Sequence, residues 1–259
     1  SGLSQFYRIT QDQEVLEDIR MTVKAFNKLY KDSSEYGGYF SHIDPVNYKY
    51  DSGTLGENCK QKNWNSIGDH IPAYLINLVI ALGNFNQEDS MKEFLNTCRE
   101  ILAATTNLIV EKFPEKISGD EWNPFVNERF YQDWTPNKSY SWQQDRGIVG
   151  HNLKISWNLT RVANYYQDNP GKRKEIMEVA KRQANAMLEN GGIDKFRGGC
   201  YDALERVPKN GMSYEFVWFS TKDFWQQEQG ILAYLILYGY TKNEKYLWLA
   251  RELSAFWNL

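Results

Sequence analysis

Charge of one sign, long apolar runs and clustered cysteines are what this chain has least of. Its 259 residues include 30 Lys or Arg and 33 Asp or Glu, a formal net charge of -3. The signs are interspersed, so no basic stripe exists to hold a phosphate backbone, and nucleic acid is not an expected partner. No apolar run approaches the roughly 18 residues of a membrane span, and nothing resembles a signal peptide. The expectation is a soluble chain without a membrane partner. Cys59, Cys98 and Cys200 are an odd number without CxxC or metal-finger spacing. That spacing argues against a metal site and a disulfide framework, and for reduced thiols in a cytoplasmic setting. No Pro-, Gly- or Ser-rich linker divides the sequence, so residues 1–259 are expected to form a single domain with a sizeable core. Two Asn-x-Ser/Thr triplets, at Asn137 and Asn158, carry no weight, because the second falls inside an expected helix.

Aromatic residues, by contrast, are abundant: nine Trp and seventeen Tyr bring the aromatic share to 15%. Such rings build either a bulky core or flat platforms with polar edges on which sugars stack. Apolar residues recur at helical spacing in about seven stretches, 12–31, 65–83, 87–112, 147–167, 172–190, 223–240 and 243–258. Three segments between them, 36–50, 125–142 and 197–218, read as short hairpins, since paired glycines permit the positive φ of a tight turn. One hairpin and two helices therefore recur as a unit.

The helices are of two kinds. Those after the hairpins open on polar and aromatic residues: Asn65, Asp69 and His70; His151 and Lys154; Trp225, Gln227 and Gln229. Their starts are expected to gather at a common pocket. The others pair an apolar stripe with a charged face, as in DQEVLEDIRMTVKAFNKLY, which marks an outer layer. Histidine is scarce, at three residues. His151 stands out among them, on the first turn of the helix in GIVGHNLKISWNL, where a helix N-terminus disfavours the charged imidazole and leaves a neutral base. His42, in GGYFSHID, reads as a turn or surface residue.

Four stretches resemble the N-acylglucosamine 2-epimerase and cellobiose 2-epimerase superfamily: GGYF at 37–40, KNWNSIGDHIPAYLINL at 62–78, QDWTP through GHNLKISWNL at 132–159, and KDFWQQEQGILAYL at 222–235. The family patterns are K-x-x-N with H-x-x-E-A-Y, then G-H-D-x-E-x-x-W, then W-W-x-Q-A-E-A. Lys62, Asn65, Ala73 and Tyr74 fit the first, but its histidine falls on Asp69 and its glutamate on Pro72, with His70 one position away. Gly150, His151 and Trp157 fit the second, while its aspartate is Asn152 and its glutamate Lys154. Trp225 and Gln227 fit the third, while its glutamate is Gln229, beside Glu228.

The resemblance implies an all-α fold of the (α/α)6-barrel type with short β-hairpins at one end. Here it would be an incomplete toroid of about seven helices, completed by other segments or subunits. It also implies a carbohydrate ligand and sugar 2-epimerase or isomerase chemistry, in which a pair of histidines supported by glutamates moves a proton through an enolate. Carried over, His151, His70 and Asp69 are the candidate proton-transferring groups. Asn65, Trp64, Tyr74, Asn152, Trp157, Trp225, Gln227, Glu228 and Gln229 are the candidate substrate contacts. That chemistry calls for no cofactor and no metal. With the family carboxylates replaced, His151 is expected to lack a carboxylate partner. Two alternatives stay open: a non-catalytic glycan-binding or scaffolding domain, and a glycoside hydrolase using two of Asp69, Asp145 and Glu228.

Overall fold

The computed structural model describes residues 1–63, 67–68, 70–83, 89–139, 146–166, 168–206 and 221–258. These fall into two compact units, Ser1–Glu111 with Arg129–Asn137, and Lys112–Glu128 with Lys138–Leu259.

The first unit holds helices α1 (Gly2–Thr10), α2 (Gln13–Leu29), α3 (Ile71–Gly83) and α4 (Asp89–Lys112), with the strands β1 (Lys62–Asn63) and β4 (Arg129–Phe130). Asp12 caps α2 by accepting from the Glu14 amide, which satisfies one of the donors a helix start leaves open. Helix α3 is apolar around most of its surface, and Leu75, Leu78 and Leu82 are fully buried. Helix α2 buries only the stripe Leu16, Ile19 and Val23. The two kinds of helix read from periodicity are thus both present. Strands β1 and β4 pair antiparallel, Lys62 opposite Phe130 and Asn63 opposite Arg129.

The second unit holds β2 (Lys116–Ser118), β3 (Glu121–Trp122), β5 (Arg146–Ile148), α5 (Val149–Tyr165), α6 (Pro170–Glu189), β6 (Ala203–Glu205), α7 (Phe224–Thr241) and α8 (Glu244–Trp257). Helix α5 lies at its centre, with Val149, Leu153, Ile155, Leu159 and Val162 essentially without exposure. It packs on both α6 and α7, and α7 packs on α8. Asn169 and Asn243 cap α6 and α8 by accepting the Lys172 and Lys245 amides. Strands β2 and β3 form a short hairpin, whereas β5 pairs with the distant β6.

The seven expected helices all appear among the described residues. An eighth, α1, does not follow from periodicity. A helix of nine residues is too short to hold itself in water and depends on tertiary packing. The sheets are the small pairs expected: among the described residues β2 and β3 form a local hairpin, GGYF is bridged to the chain before it, Lys31 to Tyr39, and the other two strand pairs join segments far apart in sequence. Residues 140–142 and 207–218 of the expected hairpin segments lie outside the described residues. Asn137 and Asn158 are 4% and 1% exposed, so neither side chain is open to a glycan. Among the described residues no helix is long and apolar enough to cross a membrane, and no cluster of ligating side chains suits a metal ion.

Candidate functional site

In the second unit, the site grows from the first turn of α5. Its N-cap position, Ile148, has no side-chain acceptor, so the opening amides are satisfied from elsewhere. The Asp202 carbonyl accepts from Val149 N at 3.3 Å, and Gln226 Oε1 accepts from Gly150 N at 2.6 Å. The Gln226 amide also donates to Asp202. Gly150 leaves room for an indole: a Cβ there would sit 2.6 Å from the ring of Trp225. His151 follows, its imidazole tilted 44° to Trp225 with ring centres 5.4 Å apart.

His151 does have a carboxylate, and the expectation that it lacks one is corrected here. Nδ1 lies 2.9 Å from both Oε1 and Oε2 of Glu128. The Glu128 side chain is 2% exposed and that of His151 18%. Glu128 sits outside the helical register in which the family places its acid, so spacing along α5 does not reveal it. Its segment is held tightly. Asn127 N bonds to Phe113 O at 2.8 Å, and Val126 N donates to Asn152 Oδ1 at 3.1 Å. Arg206, 1% exposed, donates to the carbonyls of Val126 and Phe125 and pairs with Glu115 at 2.6 Å. A buried carboxylate on so constrained a backbone fixes the orientation of the imidazole.

Two further ionisable groups adjoin. Burial, then the nearby Asp223 carboxylate, holds Asp202 above the usual carboxylate range, with Gln226, Arg146 and His151 acting against them. Lys154, one turn along α5, is half-buried and kept below the ordinary lysine value by burial. Glu128, Asp202, Arg146 and Gln226 are the members of this cluster that motif reading misses. The only signal for Glu128 was a carboxylate inside the strand-and-turn segment FVNERFYQDWTP.

The other expected contacts divide. Asn152, fully buried, engages its amide with Val126 N and Ile148 O. Gln227 accepts from Cys200 N at 2.6 Å and donates to Cys200 O at 2.7 Å. Both hold backbone in place. Trp157 donates its indole N–H to Gln229 Oε1 at 2.8 Å, and Glu228 is exposed. In the first unit, His70 and Tyr74 line a cavity of about 750 Å³ with Phe26, Phe40, His42 and Asn63. His42 is exposed, as expected, with Nδ1 2.9 Å from Ser41 Oγ. Burial drives the Tyr74 phenol far above its ordinary value. Trp64, Asn65, Asp69 and Asp145 lie outside the described residues.

Comparison with known proteins defines the class at the level of fold. The chain is similar to a cellobiose 2-epimerase from Bacillus thermoamylovorans, with a TM-score of 0.67 and 17% identity over 98% of this chain and 56% of that one. A D-mannose isomerase matches with a TM-score of 0.63 and 17% identity over 99% of this chain and 57% of the other. A cellobiose 2-epimerase from Spirochaeta thermophila matches with a TM-score of 0.61 and 15% identity, over 98% and 55%. The fold is therefore of the helical (α/α)6-barrel class expected from the sequence, its sheets reduced to small pairs. The solved structures that share it include epimerases and an isomerase of the superfamily the motifs resemble. The chain spans little more than half the length of these structures. No family profile and no curated protein matches the sequence.

Proposed function

We propose that this chain carries the proton-transferring half of a sugar epimerase or isomerase site, with His151 as the base. The observation that supports this reading is the Glu128–His151 pair, both carboxylate oxygens 2.9 Å from Nδ1. With its proton on Nδ1 and directed at Glu128, the imidazole has Nε2 as its basic nitrogen.

In the open-chain form of an aldose, Nε2 takes the proton from C2 and the bonding pair moves into the C1 carbonyl, leaving an enediolate. The imidazolium so formed is balanced by the Glu128 carboxylate. Return of that proton to C1 gives the ketose, and delivery of a proton to the opposite face of C2 gives the epimer. Asp202, kept toward its neutral form, is the candidate for exchanging protons with the enediolate oxygens. Trp225 offers the flat face on which the sugar chain rests. His70 lines the cavity of the first unit and is a candidate acid or base there.

Incubation with a panel of aldoses, disaccharides and N-acyl hexosamines in D2O, followed by NMR, tests this directly. Loss of the C2 proton signal is expected, absent in His151→Ala. Measurable sugar binding with no exchange for any sugar would move the chain to the glycan-binding class. Release of new reducing ends dependent on Glu228 would favour the hydrolase.

A further inference from the structure

In the second unit, the segments that carry Glu128 and His151 meet at one residue, Arg206. On the imidazole's side, Arg206 directly follows β6, which pairs with β5 as Ala203 to Ile148, Leu204 to Gly147 and Glu205 to Arg146. Strand β5 runs straight into α5, whose third residue is His151. Residue 206 is therefore fixed relative to the helix mouth. On the carboxylate's side, the guanidinium donates to the carbonyls of Phe125 and Val126, both at 3.2 Å. The Arg206 carbonyl accepts from Asn123 Nδ2 at 3.2 Å, and Asn123 Oδ1 accepts from the Phe125 amide at 2.9 Å. The Phe125 ring presses on β5 so closely that a Cβ at Gly147 would sit 2.2 Å from it. Hydrogen bonds and a close ring contact thus lock the two segments together.

Arginine suits this junction because its planar guanidinium presents a fixed fork of N–H groups. Such a fork serves two successive carbonyls and a carboxylate at once, whereas an ammonium does not hold that geometry. The carboxylate is Glu115, 2.6 Å from Nη2 and 30% exposed. Burial works to raise the Glu115 carboxyl, but the Arg206 charge and Lys138 outweigh it and hold it below its ordinary value. The counter-ion therefore stays ionised. Lys138 Nζ also donates to Asn127 Oδ1 at 3.3 Å, which draws the neighbour of Glu128 into the same network. Arg206 itself is 1% exposed, too deeply buried to touch a sugar. Its effect on the chemistry has to pass through Glu128.

We propose that Arg206, held by Glu115, is a positioning residue that keeps the Glu128 carboxylate on Nδ1 of His151. It acts by setting the backbone from which Glu128 projects. A displacement of about 1 Å there is enough to misalign a catalytic group. The kinetic consequence rests on the reading of His151 as the base; the alignment of Glu128 with His151 does not, and is measured without a sugar.

The test is proton–nitrogen NMR of the 259-residue protein, reading Nδ1 and Nε2 of His151 through the carbon-bound protons of the ring and assigning them by their loss in His151→Ala. At about pH 9, above the ordinary histidine value, the parent is expected to show a protonated Nδ1 and a bare Nε2, because a carboxylate against Nδ1 selects that tautomer. In Arg206→Lys and in Glu115→Gln both nitrogens are expected to move toward the mixed values of an unconstrained imidazole. The kcat for exchange at C2 of the panel sugars is expected to fall roughly tenfold to a hundredfold, with KM within about a factor of two. Asn243→Ala, which removes the cap of α8, is the control: it lowers the melting temperature and leaves both readouts at the parent values. Nitrogen shifts unchanged from the parent in Arg206→Lys overturn the proposal, as does a parent that already shows the mixture. Where Arg206→Lys does not fold, Glu115→Gln decides by the same criterion. Shifts that move while exchange is absent or unaffected uphold the positioning and overturn the part of His151 as base.

Discussion

At the scale of single residues, the role proposed for His151 rests on its contact with Glu128, both carboxylate oxygens 2.9 Å from Nδ1. Replacing Glu128 by Gln keeps the shape but removes the charge, and an amide can present its oxygen or its nitrogen to Nδ1. Deuterium exchange at C2 is expected to fall by roughly 10² to 10⁴, with little change in melting temperature. An exchange rate within a factor of two of the parent would sink the role assigned to Glu128. Gly150 is the second sensitive position. A methyl group there meets Trp225 at 2.6 Å, so Gly150→Ala displaces the indole. Weaker sugar binding, read as a raised KM with a smaller change in kcat, is the expected result. Neither effect can be inferred from the helix alone. Motif spacing placed His151 correctly at the mouth of α5, but its partner lies 23 residues upstream in a segment whose backbone is set by Arg206 and Asn152.

Among the elements, the helices were legible and the strands were not. Helical periodicity is a local property, repeated over four or five turns, so seven of the eight described α-helices could be read directly from the chain. Pairings such as β5 with β6 join two or three residues from distant loops, and nothing in those residues names the partner. The Lys62–Asp32 pair belongs here too. Lys62 and Asp32 are both buried, and Lys62→Met strands a carboxylate among apolar rings, with an expected loss of about 3 to 5 kcal/mol in urea unfolding. The double change Lys62→Met with Asp32→Leu is expected to recover most of that loss. The loop between GGYF and β1 turns on Asp44. Its carboxylate accepts from the Thr54 hydroxyl, the Val46 amide, the Ser52 hydroxyl and the Asn47 amide, which together hold it well below the usual range. A depressed folded value stabilises the loop above the unfolded carboxylate value of about 4 and is lost as pH falls through the folded one. Melting temperature is therefore expected to drop less steeply below about pH 4 in Asp44→Asn than in the parent.

For the whole molecule, binding of a substrate sugar should appear as stability. A sugar present at a hundred times its Kd adds about 2.7 kcal/mol by mass action, or roughly 5 to 10 °C in melting temperature for a chain of this size. The shift is expected to disappear in Trp225→Ala; an unchanged shift would place the sugar elsewhere. The fold class was readable because four motifs recur in order along almost the entire chain, each opening or preceding a helix. The sequence by itself determined where the helices lie, which are apolar all round and which along one stripe, and which histidine stands at a helix mouth. These follow from propensity and period, which act over a few turns. Only the tertiary structure decided that Glu128 stands against His151, that Gln226 closes the start of α5, and that Lys62 and Asp32 are buried together. Each of these is set by side chains brought together from remote segments, whose contact depends on how the helices pack rather than on any spacing along the chain.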